Sequence, residues 1–485
     1  MSILKKLAGE TAIYGLSSIV GRFLNYLLVP FYTAVFLPEE YGIVTELYSY
    51  AAFLNVLFTY GMETTYFRHC NKIGANADVV FNQIQAMLIT STLLLGLPIV
   101  IFSDSIADLL RHSGKGEMII WLALTIAVDT FLALDFARLR QQNRAKKFAF
   151  IKISNILLNI GLNIFFLIIL PKYFDNKFNT KDVRFVFVAN FLANASQILF
   201  FRRYFQLWKL PNLDWNTSKS YLLYGLPLMV MGLAGMINEV IDRIVLKFLL
   251  PLGFYPDKSS LAAVGIYGAC YKLSIFMSLG IQAFRYASEP FFFSKAQDKN
   301  SPALYARVMH WFVFVCTGVL ILISLNLDWI QFVLRNPAYR EGLLVVPILL
   351  AANLFLGIYY NLSIWYKLTD KTQYGMYINI GGAIFTVLLN ILLVPFLGYI
   401  GSAWATLGCY AAMAMASFIL GQKNYYVPYH KTFMTVAILI GIVISFSLWR
   451  IELVSSLSLT ILTKNAIGLM ALLLLFLFGR KVRSL

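Results

Sequence analysis

Residues Ile237–Pro251 read INEVIDRIVLKFLLP. Glu239, Asp242, Arg243 and Lys247 stand in a run that is otherwise apolar enough for a helix in lipid. A charged side chain at mid-bilayer costs about 2.5–3.5 kcal/mol on insertion scales, so it is tolerated only against a partner or a watery cavity. The rest of the chain decides whether this run is a membrane helix. The 485 residues are 59% apolar and 13% charged, with a mean hydropathy of +0.72. A soluble domain is nearer about 45–50% apolar and about 25% charged. The composition therefore indicates an all-α polytopic integral membrane protein, with the quoted run inside one of its spans.

A span needs about 20 mainly apolar residues. About fourteen candidates begin near Thr11, Gly42, Val80, Glu117, Phe148, Phe185, Tyr221, Ala262, Ala306, Leu343, Thr372, Ile400, Lys431 and Leu459. They are apolar all round, and no barrel-type alternation is present. No short apolar segment with a small-residue cleavage site opens the chain, so the first run reads as a permanent span. With Lys5 and Lys6 in the cytoplasm, 24 of the 40 Lys and Arg fall on that side and 11 on the other. The positive-inside rule then places both termini in the cytoplasm. The net charge of +17 follows from this bias and implies no nucleic-acid partner. The richest inner segment, RLRQQNRAKK (Arg138–Lys147), reads as a solvated, topology-setting loop. Cys70, Cys270, Cys316 and Cys409 lie far apart without CxxC or Cys/His spacing, so they read as buried thiols rather than a metal site or disulfide framework. No GxxxxGK[ST] run is present, and the chain calls for no cofactor or metal.

The quoted run also belongs to an internal repeat. GRFLNYLLVPFY (Gly21–Tyr32) aligns with DRIVLKFLLPLG (Asp242–Gly253), pairing Arg22 with Arg243 and Pro30 with Pro251. YGIVTELYS (Tyr41–Ser49) aligns with VGIYGACYK (Val264–Lys272), pairing Gly42 with Gly265. KISNILLNIGLNIFFLIILP (Lys152–Pro171) aligns with MYINIGGAIFTVLLNILLVP (Met376–Pro395). Three blocks in one order predict two six-helix lobes, 1–215 and 216–422, followed by two extra helices in 423–485. Six is even, so the lobes are parallel repeats about an axis normal to the membrane, a transporter layout.

LPEEYGIVTELYSYAAFLNVLFTYGMETTYFRH (Leu37–His69), with Glu40-Tyr41-Gly42 after the first helix and Gly61 closing the second, resembles the opening hairpin of one known family. This is the polysaccharide-flippase branch of the multidrug/oligosaccharidyl-lipid/polysaccharide (MOP) exporter superfamily. IDRIVLKFLL and VGIYGACYKLS resemble its second-lobe counterpart. The resemblance implies a MATE-like fold of two lobes around a V-shaped cavity, working by alternating access in a bacterial cytoplasmic membrane. It implies an undecaprenyl-pyrophosphate-linked oligosaccharide as cargo, moved for cell-surface polysaccharide biosynthesis. Other polysaccharide-assembly membrane proteins are the expected partners. The drug-exporter branch commonly carries an acid inside helix one. Here Glu10 sits at the mouth and the mid-helix charge is Arg22, which favours an anionic cargo.

Arg22 and Arg243, at repeat-equivalent places, are candidate substrate-binding residues, because a guanidinium fork gives two hydrogen bonds to one phosphate. Lys272 and Lys247 are further candidates. Two other readings stand beside these. Glu239 and Arg243 are spaced i, i+4 and can neutralise each other. Lys247, far along its helix, can snorkel to the outer interface. Glu46, Asp129, Glu239 and Asp242 are candidates for a coupling proton or sodium ion, with structural pairing to an Arg as the alternative for each. Asp135 reads as paired with Arg138. Pro30, Gly225 and Pro227 are hinge candidates, or fixed kinks. Tyr359, Tyr360, Trp365 and Tyr366 read as an interfacial belt. The competing functions are a MATE-type cation-coupled exporter of small molecules and a membrane glycosyltransferase or polymerase. The first calls for an acid-lined cavity and the second for catalytic acids on a large outer loop, and neither is seen.

Overall fold

The computed structural model describes residues 19–24, 26–72, 74, 76–174, 182–205, 214–295, 298, 300–448, 451 and 456–484. Among the described residues every regular element is helical. Among the described residues eleven helices are long and apolar enough to cross a membrane, or twelve if Ser260–Leu273 and Ile275–Phe293, bent by 49° at Ser274, count as one. The expected span near Thr11 falls partly outside the described residues, and Ile19–Val35 is its shorter described part. The expected span near Gly42 is the 22-residue helix Pro38–Thr59. It is not among the eleven, because Glu39, Glu40, Glu46 and Asn55 interrupt its apolar run.

The helices group into two compact units. The first takes residues up to 28 and 43–240, the second 29–42 and 241–485. In the first, Gly116–Gln141 is the central helix, with Ala77–Ile101 and Arg184–Ser196 packed on it. Gly61 turns the chain at φ +74°, and a Cβ there would lie 2.7 Å from the Gly225 carbonyl oxygen. Gly225 in turn has no room for a side chain, because a Cβ would meet the Tyr60 carbonyl oxygen at 2.7 Å. Both glycines thus let two backbones approach closely.

The segment read as a solvated loop is partly structural. Arg138 and Arg140 end the Gly116–Gln141 helix, where Arg138 pairs with Asp78 and Arg140 with Glu63. Arg138 is buried, with its guanidinium 4.6 Å above the Phe81 ring. Asp135 is not its hydrogen-bond partner as expected. Both Asp135 carboxylate oxygens are buried without a hydrogen-bond partner among the described residues. On a helix, i, i+3 residues share a face, but Arg138 reaches across to Asp78 on the next helix instead.

In the second unit Pro337–Leu368 is the most enclosed span. Tyr399–Asn424 packs on it, and Gln373–Leu397 packs on Tyr399–Asn424. The repeat-equivalent glycines Gly42 and Gly265 lie at one helix crossing. A Cβ on Gly265 would lie 1.9 Å from the Pro38 carbonyl oxygen, and one on Gly42 would lie 2.1 Å from that of Leu261. Small residues at such a crossing let helices touch by their backbones. Ser259 caps the Ser260–Leu273 helix, accepting from the Ala262 amide at 3.1 Å, and donates to Glu39 at 2.9 Å. Tyr359, Trp365 and Tyr366 are buried, not an interfacial belt. The Trp365 indole donates to Ser417 at 3.3 Å, and Asn379 donates to the Tyr359 hydroxyl at 3.1 Å. These polar tips find partners inside the bundle, which frees them from the water interface. The four cysteines are buried and free of disulfides.

Candidate functional site

The Trp215–Leu249 helix carries the charges of the opening stretch. Asp242 and Arg243 are 3% and 7% exposed, so both are packed among the helices. Asp242 accepts from the Tyr267 hydroxyl at 2.5 Å, from Thr406 at 3.5 Å and from the Arg243 amide at 2.9 Å. The Arg243 guanidinium lies 3.6 Å from the same carboxylate and 4.0 Å above the Tyr271 ring. Three helices therefore build the cluster: Trp215–Leu249, Ser260–Leu273 and Tyr399–Asn424. Acid and cation balance, and the hydroxyls complete the carboxylate's bonding, as a buried pair requires.

The other cation candidates are placed differently. Lys247 is buried at 3% exposure rather than snorkelling to a surface, with its ammonium 5.6 Å from the Phe248 ring centre. Lys272, Arg22 and Glu239 are exposed. Gly225 and Pro227 lie inside one uninterrupted helix, and Pro30 lies in Leu28–Val35. The break near the cluster is instead at Ser274, one turn beyond Tyr271.

Of the acid candidates, Glu46 is fully buried and pairs with His112 at 2.8 Å. The histidine comes from the short link between Ser103–Leu109 and Gly116–Gln141. Asp129 is half-buried and accepts from Asn194 at 3.0 Å, which accepts from Asn155 at 2.8 Å. Sequence reasoning missed His112, and the only signal for it is that a buried Glu46 demands a partner. It also missed Lys464, which is 1% exposed and pairs with Asp328 at 2.7 Å. A third omission is Arg285–Glu289–Lys367. Glu289 lies 3.4 Å from Arg285 and 2.7 Å from Lys367. Arg285 lies inside the Ile275–Ser294 helix.

A family model described as "Polysaccharide biosynthesis protein" matches residues 7–297, more than half of the chain. The chain belongs to this family. With eleven or twelve apolar helices long enough to cross a membrane among its described residues, it is a multi-pass membrane member of that family. A protein of the Lsg locus of Haemophilus influenzae is 22% identical over 67% of this chain and 74% of its own length. An uncharacterized membrane protein of the same species is 20% identical over 83% of this chain and 95% of its own. Among solved structures, an inward-facing multidrug-resistance MATE transporter of the MOP superfamily is similar, with a TM-score of 0.66 and 14% identity over 88% of this chain and 98% of that one. The lipid II flippase MurJ, in an inward closed conformation, also has a TM-score of 0.66, with 15% identity over 97% of this chain and 99% of that one. These likenesses establish the MATE-like fold of this family member.

Proposed function

We propose that the protein is a flippase for an undecaprenyl-pyrophosphate-linked oligosaccharide, working by alternating access with both termini cytoplasmic. The observation that carries this reading is the buried Arg243 on its tyrosine platform, in a member of a polysaccharide biosynthesis family. Arginine suits a pyrophosphate because its fork donates two parallel bonds to one phosphate. Arg22, exposed at the repeat-equivalent place, is a second candidate cation for the cargo. Lys247, on the helix of Arg243, and Lys272, on Ser260–Leu273, are the further candidate cations. The MurJ likeness supports a lipid-linked cargo, since that protein's own cargo is lipid II. The MATE likeness supports the same fold with a different cargo, and the cations argue against a cationic drug.

Glu46 with His112 is the favoured coupling pair, because it is a fully buried acid held by an imidazole at 2.8 Å. Asp129, Glu239 and Asp242 are the other candidates, and a proton or sodium ion is the coupling ion proposed. The test uses the full chain in proteoliposomes with a fluorescent undecaprenyl-pyrophosphate-linked oligosaccharide. Arg22→Ala and Arg243→Lys should each abolish translocation with membrane insertion intact. Full transport by the double variant would overturn the reading. Flux indifferent to proton gradient, sodium gradient and potential would remove the coupling ion.

A further inference from the structure

The second unit holds an apolar groove of about 330 Å3, open on one side, between the Ile275–Ser294 and Ser301–Leu325 helices. Phe276, Gly280, Phe284, Trp311, Val315 and Val319 line it among others. Nothing lies within 4 Å of where a Gly280 side chain would begin, so the groove has real width there. At one end Phe284, 4.5 Å from the Phe312 ring, also lines a narrow polar niche. That niche holds Arg285, Ser288, Glu289, Tyr360 and Lys367. Arg285 lies 5.0 Å above the Tyr360 ring, with its side chain half exposed. Glu289 offsets one of the two cations, which leaves the niche one net positive charge.

An apolar trough that ends in a singly positive niche has the pattern of an amphiphile with a monoanionic head. A phosphodiester carries about one negative charge, whereas a pyrophosphate diester carries about two and would be opposed by Glu289. We infer that this is a lateral site for an anionic glycerophospholipid of the surrounding bilayer. One acyl chain lies along Gly280 and Trp311, and the phosphodiester sits on Arg285 and Lys367. The site is separate from the cluster around Arg243 and does not rest on the proposed cargo.

Trp311 supplies the readout. The full-length protein is purified in detergent and titrated with brominated-chain phosphatidylglycerol or phosphatidylcholine, and the quenching lost in Trp311→Phe is followed. Phosphatidylglycerol should bind at least about tenfold more tightly than phosphatidylcholine. Arg285→Gln with Lys367→Gln should erase that preference. Gly280→Leu, which adds bulk where the structure has space, should weaken both lipids while leaving the charge untouched. Glu289→Gln should shift preference towards dianionic phosphatidic acid. The thermal midpoint of each variant checks its fold, and if the double variant does not fold, Gly280→Leu and Glu289→Gln carry the test. Equal binding of the two lipids by the native chain would overturn the inference. So would undiminished phosphatidylglycerol preference in the folded double variant. Displacement of phosphatidylglycerol by lower concentrations of undecaprenyl pyrophosphate would assign the groove to the carrier lipid instead and overturn it equally.

Discussion

Each unit buries an acid against a nitrogen partner, and the two acids, Glu46 and Asp242, are held in different ways. In the first unit Glu46 meets His112 at 2.8 Å. In the second, Asp242 meets Arg243, Tyr267 and Thr406. Histidine can gain or lose a proton in the physiological range, while arginine keeps its own. The first pair is a carboxylate–imidazole contact, while the second is a carboxylate held by a guanidinium and two hydroxyls. Fixed charge suits a structural anchor or a permanent anion site. Exchangeable charge suits a step that must reset. A repeat that matches Arg22 with Arg243 in sequence thus carries chemically unequal halves, since Arg22 is exposed and Arg243 buried.

The largest effect is expected where the fixed pair is broken. Arg243→Ala leaves Asp242 buried with only hydroxyl donors, a loss of about 3–5 kcal/mol. Adding Asp242→Asn should recover most of it, read as the unfolding midpoint in detergent. Equal damage in the single and double variants would show that charge balance is not the reason. His112→Ala should cost less, about 1–3 kcal/mol for a buried acceptor left unmade. Glu46→Gln in that background should restore stability but not gradient-driven flux. Restored coupling would erase the contrast between the two pairs. Lys464→Met sharpens the comparison with a pair open at one end, because Asp328 is about a quarter exposed. About 1 kcal/mol is expected there.

The smallest change is expected outside the membrane. Asp214 accepts from the Asn216 amide at 3.2 Å and the Thr217 amide at 3.1 Å, heading the Trp215–Leu249 helix. Its carboxyl is held below the usual range, chiefly by the Thr217 hydroxyl and then by these amides. A depressed folded value stabilises the protein above the unfolded value and fades as pH falls through the folded one. Asp214→Ala should therefore lower the midpoint slightly at neutral pH and not in acid, seen in paired melts at the two pH values.

The helical class and the family were legible because lipid demands long apolar runs and because the repeat puts Arg, Gly and Pro at matching places. The Gly42–Gly265 match even marks an actual crossing. Partner choice was not legible. Helical spacing suggested Asp135 for Arg138 and a surface for Lys247. The structure gives Arg138 to Asp78, sixty positions away in the chain, and buries Lys247. Nothing in the sequence tied His112 or Lys464 to an acid, and only three-dimensional packing brings Glu46 and Asp328 to them. The tyrosines and Trp365 near a span end looked interfacial because amphipathic rings favour that zone, yet internal hydroxyl and amide partners suffice.

The last helix, Leu457–Ser484, shows what such internal partners achieve. Leu469, Leu473, Leu474 and Leu477 face outward, while Thr460, Lys464, Leu475 and Gly479 are buried. In hydrocarbon a leucine gains little by turning from lipid to protein. Oiliness alone would let this cylinder spin about its own axis. Lys464 on Asp328 and Asn465 on Asn326 at 2.9 Å act as a key in a shaft, selecting one azimuth for a rod that is otherwise nearly indifferent to it.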